Sequence, residues 1–300
     1  SETYLADVCD RDALDRLLAM YQVKEIYHLA AVLSTRAELA PEVAHQVNVN
    51  GTVNILQIAA EQGRMYGEPV KVVFPSSIAA YGFGSLTQKT EVGAVSEYEH
   101  CKPSTMYGCN KLYCEHLGRY YAHSYRQLAQ DSVQGKDKNR GVVDFRCVRY
   151  PGLISAETVP TGGTSDFVPE MIHAAARGEK YKCFVREDTR IPFMTMPEAI
   201  DATLQLAAAS RHDLTQIVYN IASFSPSAGE VAQLVKTYFP GADITFEPDE
   251  RRQAIVDSWP EFLDCSVATN DWGFKPTYTL EQAFEDYLVP RIIKQYESIL

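Results

Sequence analysis

Several common signatures are missing from these 300 residues. No apolar run approaches the roughly 20 residues that a membrane-spanning helix needs. The opening, SETYLADVCD, has neither the basic start nor the apolar segment of a secretory signal. Lys and Arg total 28 against 39 Asp and Glu, a formal net charge of −11. Binding a polyanion needs clustered cations, and the densest cationic run, GKDKNR (135–140), reads as a solvated loop. One small anionic ligand held by a few local donors stays compatible with that balance. The seven cysteines (Cys9, Cys101, Cys109, Cys114, Cys147, Cys183 and Cys265) include no Cys-x-x-Cys. Their spacing fits no common zinc arrangement, and they read as thiols of a reducing compartment. The seven histidines show no His-x-x-x-His, so no metal is expected. Internal repeats and low-complexity tracts are absent too.

What is present is an ordinary globular composition, 46% hydrophobic and 22% charged, in a chain long enough for one large or two modest domains. Strand-like and helix-like segments alternate. TYLADV (3–8), EIYHLAAV (25–32), VKVVFPSSIAAYG (70–82) and VVDFRCVRYPG (142–152) read as strands, the second and third buried on both faces. DRDALDRLLAMYQ (10–22) reads as a helix. PEVAHQVNVNGTVNILQIAAEQG (41–63) reads as another, with proline near its start and Gly63 at its end. Residues 83–102 read as a polar loop and 126–141 as a polar insertion. Such alternation implies βαβ units, a mostly parallel sheet and ligands beyond the strands' carboxyl ends. The expected fold is α/β, a Rossmann-like doubly wound sheet over 1–152, followed by a smaller mixed α/β domain over 153–300.

The stretch STMYGCNK (104–111) sets Tyr107 four residues before Lys111. In a chain with 18 Tyr, chance alone yields on the order of one such spacing, and a second, Tyr98 with Lys102, does occur. Lys102 precedes Pro103, which disfavours helical geometry, so that pair reads as accidental. Ser104 can cap a helix. Met106, Cys109, Tyr113, Leu117 and Tyr120 then recur at helical steps, which places Tyr107 and Lys111 one above the other on one face. A free phenol is a poor base at neutral pH, and a neighbouring ammonium or oxidised nicotinamide favours its phenolate form. Ser76 and Ser77, where a strand ends, are candidate hydroxyl donors. A half-buried helix tyrosine and a plain serine turn remain the alternative at this point.

HLAA (28–31), SSIAAYG (76–82) and YGCNK (107–111) occur in the order of the extended short-chain dehydrogenase/reductase family, which the chain resembles along its whole length. NVNGT (48–52) and DWGFKP (271–276) strengthen the likeness. RYPGLISAETVPTGGTSDF (149–167), EDTRIPFMTMPEAI (187–200) and DSWPEFLDCSVATNDWGF (257–274) resemble its L-threonine 3-dehydrogenase branch. The resemblance implies NAD⁺-dependent oxidation of the threonine β-hydroxyl to 2-amino-3-oxobutyrate. It makes Tyr107 the proton acceptor, Lys111 its partner and ribose ligand, and Ser77 the hydrogen-bond donor to the substrate oxygen. Asp7 and Val8 match the adenine contact, Leu29, Ala30 and Ala31 the wall beside the cofactor, Asn48 its orienting side, and Leu153 the nicotinamide end. Ser34 and Thr164 are candidates for the amino-acid head group. Arg186 and Arg190 read as solvated arginines and Trp272 as packing. A homodimer through helices 41–63 and 104–125 is implied, in the cytoplasm or, in a eukaryote, the mitochondrion.

The chain departs from the family in having no Gly-x-x-Gly-x-x-Gly; YGFGS (81–85) follows the wrong strand and opens no obvious helix. That turn brings backbone N–H groups to the pyrophosphate at a helix N-terminus. The expectation is that the family's first βαβ segment is missing upstream, leaving unpaired strand edges between TYLADV and EIYHLAAV, and that these residues alone bind NAD⁺ weakly or not at all. A sugar-nucleotide epimerase or dehydratase with the same pair, and an inactive truncated relic, are the alternatives.

Overall fold

A computed structural model describes residues 2–128 and 141–297; GKDKNR lies outside the described residues. The chain divides into two compact units, neither continuous in sequence. The first comprises Ser1–Ala80, Thr105–Arg149 and Gln205–Tyr219, the second Tyr81–Ser104, Tyr150–Leu204 and Asn220–Leu300. The division expected at 152/153 lies beside the passage from Arg149 to Tyr150, while 81–104 and 205–219 belong to the opposite unit from the one expected. No helix among the described residues is long and apolar enough to cross a membrane.

In chain order the elements begin α1 (Arg11–Leu18), β1 (Glu25–Tyr27), α2 (Ser34–Leu39), α3 (Pro41–His45), α4 (Gly51–Tyr66) and β2 (Val70–Ser77). They continue with α5 (Leu86–Val92), β3 (Ala94–Val95), α6 (Met106–His123), β4 (Val143–Tyr150), β5 (Gly152–Ile154) and α7 (Phe167–Ala176). Then come β6 (Tyr181–Cys183), β7 (Phe193–Thr195), α8 (Met196–Ala208), β8 (Val218–Asn220) and α9 (Ala228–Tyr238). The last are β9 (Ile244–Phe246), α10 (Glu250–Asp257), β10 (Phe262–Leu263), α11 (Ser266–Trp272), α12 (Leu280–Gln282) and α13 (Val289–Glu297).

The first unit is built on a sheet of order β1-β2-β4-β8, with β1 and β2 parallel and helices between successive strands, a Rossmann-like α/β arrangement. Val70, Val72, Phe74, Val143, Phe145 and Cys147 from its strands pack against Leu56, Ala59 and Ala60 of α4 and Cys114 and Tyr121 of α6. Gly118 is the contact point of α6 on the sheet: a Cβ there would lie 2.2 Å from the Phe145 ring. α4 runs past Gly63, where a Cβ would meet the Val142 carbonyl at 2.2 Å, and ends at Gly67 in a left-handed conformation, φ 72°. The sequence thus marked the wrong glycine: Gly63 serves close packing and Gly67 the helix end.

Two expected strands change. TYLADV forms no ladder; among the described residues no strand lies against it, Leu5 is exposed, and Asn54 Nδ2 donates to the Val8 carbonyl instead. Only Glu25–Tyr27 of EIYHLAAV is strand, and it is not buried on both faces: Tyr27 is 40% and Leu29 69% exposed. The segment 83–102 is not a plain loop, because YGFGS does open a helix: the Ser85 hydroxyl accepts from Gln88 N–H and caps α5.

The second unit contains three two-stranded parallel pairings, β10 with β3, β5 with β7 and β6 with β9. The buried Glu198 holds it together. One carboxylate oxygen accepts from the Ser223 hydroxyl and from Thr277 and Tyr278 N–H, the other from the Thr195 N–H and hydroxyl. A buried carboxylate persists only when donors replace its lost water.

Candidate functional site

The carboxyl end of β2 and the first three turns of α6 carry the features singled out in the sequence. α6 starts at Met106, and its cap is Thr105, whose hydroxyl accepts from Gly108 N–H; Ser104 bonds Ser258 instead. The cap falls one residue later because Thr105, and not Ser104, is the extended residue next to the helix (φ −117°, ψ 152°). Tyr107 and Lys111 therefore lie one turn apart, with Tyr107 half-buried and Lys111 buried. Lys111 Nζ donates to the Pro75 carbonyl at 2.6 Å and sits 4.6 Å from the Phe74 ring centroid and 5.5 Å from that of Tyr107. Ser77, the last residue of β2, is half-buried, and its hydroxyl accepts from Ala79 N–H at 3.2 Å. The other Tyr–Lys spacing is not helical: Tyr98 is in a turn and Lys102 in irregular chain against Gly82.

Behind this pair runs a chain of buried polar groups. Asn48 lies in a π-helical turn (Gln46–Asn50) between α3 and α4, a local widening that often marks functional positions. Its amide is used twice on one residue beyond β1: Oδ1 accepts from Val32 N–H at 2.7 Å and Nδ2 donates to the Val32 carbonyl at 3.0 Å. Nδ2 also reaches Asn110 Oδ1 at 3.3 Å. Asn48 thus fixes the backbone that follows HLAA. The Thr52 hydroxyl donates to the Asn48 carbonyl at 2.6 Å, so toward His28, 2.9 Å away, it can only accept. His28 therefore carries its proton on Nε2. Burial, and then the nearby Lys111 ammonium, push the His28 imidazole down to about 4.

Of the other candidate residues, Asp7 is exposed and its carboxylate accepts from Cys9 N–H. Val8 packs toward Gly51 of α4, where a Cβ would come within 2.7 Å of it. Leu29, Ala30 and Ala31 follow β1 as irregular chain, with Leu29 and Ala30 exposed. Ser34 is the first residue of α2. These belong to the first unit, with Ser77, Tyr107, Lys111 and Asn48; Leu153 in β5 and Thr164 belong to the second. Thr164 is buried, in a loop where Gly163 N–H donates to Asp166 and the Gly163 carbonyl accepts from Arg252 at 2.7 Å.

Arg186 and Arg190 are partly exposed, and each is ion-paired. Arg186 makes two bonds to Asp257, at 2.9 and 3.0 Å, and Arg190 pairs with Glu230 at 2.9 Å, so each is neutralised inside the second unit. The Trp272 ring lies 5.5 Å from that of Phe274, as packing requires.

Sequence reasoning missed two residues, Glu115 and Arg149, and gave Ser76 no partner. Ser76 donates to Glu115 Oε1 at 2.5 Å, and Glu115 takes Arg149 in a two-point pair of 2.8 and 2.6 Å; all three are buried. The signal for Glu115 was its place four residues after Lys111 on the same helix face. Arg149 showed only as a cation inside an apolar strand.

The donors fit one half of a nicotinamide dinucleotide site. A buried ammonium, a phenol one turn away and an exposed leucine beyond a strand end offer a polar edge and an apolar wall. A glycine-rich strand–helix turn for the pyrophosphate is not among these residues.

The NAD dependent epimerase/dehydratase family model matches residues 2–222. Over 277 residues the chain is 33% identical to a mitochondrial L-threonine 3-dehydrogenase of Bos taurus, covering 92% of this chain and 67% of that protein. Among solved structures, a GalE-like L-threonine dehydrogenase from Cupriavidus necator in its holo form superposes with a TM-score of 0.82 at 36% identity, covering 96% of this chain and 85% of the other. A monomeric L-threonine 3-dehydrogenase of metagenomic origin in its apo form gives 0.81 at 32% identity, covering 97% and 87%. With its Tyr107–Lys111 helix beside the end of β2, the chain belongs to the NAD-dependent epimerase/dehydratase family.

Proposed function

We propose that this chain works as an L-threonine 3-dehydrogenase, oxidising the β-hydroxyl of L-threonine to the ketone of 2-amino-3-oxobutyrate. The observation that carries the reading is the placement of Lys111 Nζ, 2.6 Å from the Pro75 carbonyl and 5.5 Å from the Tyr107 ring, beside the strand end that presents Ser77. It stands in a chain 32–36% identical to proteins named as threonine dehydrogenases.

In this reading the Ser77 hydroxyl donates a hydrogen bond to the substrate oxygen and strengthens it as a carbonyl forms. Tyr107 takes the proton from the hydroxyl oxygen while the carbon that bears this oxygen gives up its own hydrogen with the electron pair. Lys111 holds a positive charge beside the Tyr107 ring and offers N–H groups to ribose hydroxyls. NAD⁺, when bound, supplies the acceptor for that hydride. Orientation and general-base help are the source of rate.

Leu29, Ala30 and Ala31 would line the cofactor, Asp7 and Val8 its adenine end and Leu153 its nicotinamide end. Asn48 would hold the wall through Val32. Ser34 and Thr164 are proposed contacts of the amino-acid head group. The first unit, most of 1–152, is proposed as the cofactor domain and the second, most of 153–300, as the substrate domain, with 81–104 and 205–219 exchanged between them. Homodimerisation is proposed through the faces of α4 and α6, where Tyr113 and Tyr120 are exposed while Tyr121 is core. The cytoplasm, or the mitochondrion in a eukaryote, is the proposed compartment.

The test is a substrate panel in the intact protein, with NADH absorbance as the readout. L-Threonine should reduce NAD⁺ and UDP-sugars should not. Turnover of UDP-sugars with no response to L-threonine would reassign the chain within its family.

A further inference from the structure

α6 presents three side chains of one face at four-residue steps, Tyr107, Lys111 and Glu115. The end of β2 presents three consecutive residues, Pro75, Ser76 and Ser77. Two rungs join them. Lys111 Nζ donates to the Pro75 carbonyl at 2.6 Å, and the Ser76 hydroxyl donates to Glu115 Oε1 at 2.5 Å. Both are directional bonds in dry surroundings; Ser76 is 2% exposed and Glu115 3%.

Glu115 is held in turn by Arg149 of β4, the strand next to β2 in the sheet. Arg149 Nε donates to Oε1 at 2.8 Å and Nη2 to Oε2 at 2.6 Å, and Arg149 is 1% exposed. The planar guanidinium matches both carboxylate oxygens, which fixes the carboxylate's angle as well as its distance. α6 is thereby tied to two neighbouring strands at one level, one turn beyond Lys111.

We infer that Glu115 is a positioning residue for the Ser77–Tyr107–Lys111 site, and that its bond to Ser76, backed by Arg149, sets the register of α6 on β2. The inference rests on the function proposed above. Apolar side chains of similar volume often hold a helix on a sheet as well as a buried ion pair does. What they lack is direction. Ser76 adjoins Ser77, so the bond that fixes Ser76 fixes the backbone from which Ser77 projects. On the helix side the same bond stops α6 sliding along its axis, and Tyr107 is carried on that axis. Misplacement of about 1 Å between reacting groups costs on the order of a hundredfold in rate, so a register device gains through kcat more than through stability.

The test compares Ser76→Ala, Ser76→Thr and Glu115→Gln with the parent in the intact enzyme. Ser76→Ala deletes the rung and leaves the Glu115–Arg149 pair whole; Ser76→Thr keeps the hydroxyl. Ser76→Ala should lower kcat about tenfold, as a fraction of the misplacement cost, with KM for L-threonine and the Kd of NAD⁺ within twofold. Ser76→Thr should recover most of kcat. Glu115→Gln, which keeps an oxygen acceptor but loses the charge, should fall between the two.

A second readout needs no substrate. The phenolate absorbance of each variant, minus that of the same variant carrying Tyr107→Phe, reports the ionisation curve of Tyr107. That curve should move in Ser76→Ala and return in Ser76→Thr. A parent inactive on L-threonine whose curve still moves in Ser76→Ala would defeat the substrate reading and leave the positioning role standing. If kcat and the ionisation curve stay at parental values in Ser76→Ala, or if Ser76→Thr restores neither, Glu115 is a structural ion-pair partner only and the inference is wrong.

Discussion

His28 offers a perturbation whose size can be worked out from the structure. Its ring is 5% exposed, packs 6.0 Å from Phe74 by centroid distance, and donates through Nε2 to a Thr52 hydroxyl whose own proton is used on the Asn48 carbonyl. Burial, with Lys111 as the second cause, lowers the imidazole from 6.5 to about 4. In the unfolded chain the same ring titrates near 6.5. Between pH 6.5 and 4 the unfolded state therefore binds the proton and the folded state does not. Stability falls as pH drops through that window and levels off below it, while above pH 6.5 the effect vanishes. At ~1.4 kcal/mol per factor of ten, the full loss is about 3 kcal/mol. The comparison is urea denaturation of the parent and of His28→Gln, whose amide can still donate to Thr52, at intervals from pH 7.5 to pH 4. Groups common to both proteins cancel in the difference. The parent should lose about 3 kcal/mol more than the variant over that range, with most of the divergence below pH 6. Parallel stability curves would refute the argument, as would a His28 ring resonance titrating near 6.5 in the folded protein.

Further tests address other parts of the fold. Lys89 is 2% exposed with one long bond, 3.4 Å to the Val256 carbonyl, and burial pushes its ammonium down to about 8. At pH 7 it is charged in both states and the burial penalty is fully present, so Lys89→Met should raise stability by up to about 3 kcal/mol. The advantage should shrink as pH rises from 8 to 10.5, followed by thermal melts at each pH. Gly118→Ala drives a Cβ into the Phe145 ring and should cost about 1–3 kcal/mol in urea denaturation while lowering kcat, because α6 must lift. Asn48→Ala leaves the Val32 N–H and carbonyl without their partner. It should cost about 1–3 kcal/mol and weaken NAD⁺ binding in calorimetry more than it changes KM for L-threonine.

The local rules read well wherever the chain itself decides. Pro103 after Lys102 excluded one Tyr–Lys pair, and helical spacing placed the other correctly because Tyr107 and Lys111 need only one another's helix. β2 was plain from VKVVFPSS, an apolar run that the core of the first unit does bury. The errors share a cause, which is neighbours distant in sequence. TYLADV has a strand's composition but no edge to pair with among the described residues. Gly63 looks like a helix end until Val142, far along the chain, is seen to press on it. Arg186 and Arg190 gave no sign of their ion-pair partners because Asp257 and Glu230 lie far along the chain from them. Glu115 was the most hidden of all. A helix acid is normally a surface residue, and only the partners brought by β2 and β4 make a buried carboxylate tolerable.

The most direct measurement is NADH formation from L-threonine and NAD⁺ by the intact enzyme and by Tyr107→Phe, with thermal melts run alongside. The substitution removes one hydroxyl from a half-buried ring, so the melts should coincide while turnover falls at least a hundredfold, the usual loss when a general base is removed. Undiminished NADH formation by Tyr107→Phe would contradict the account.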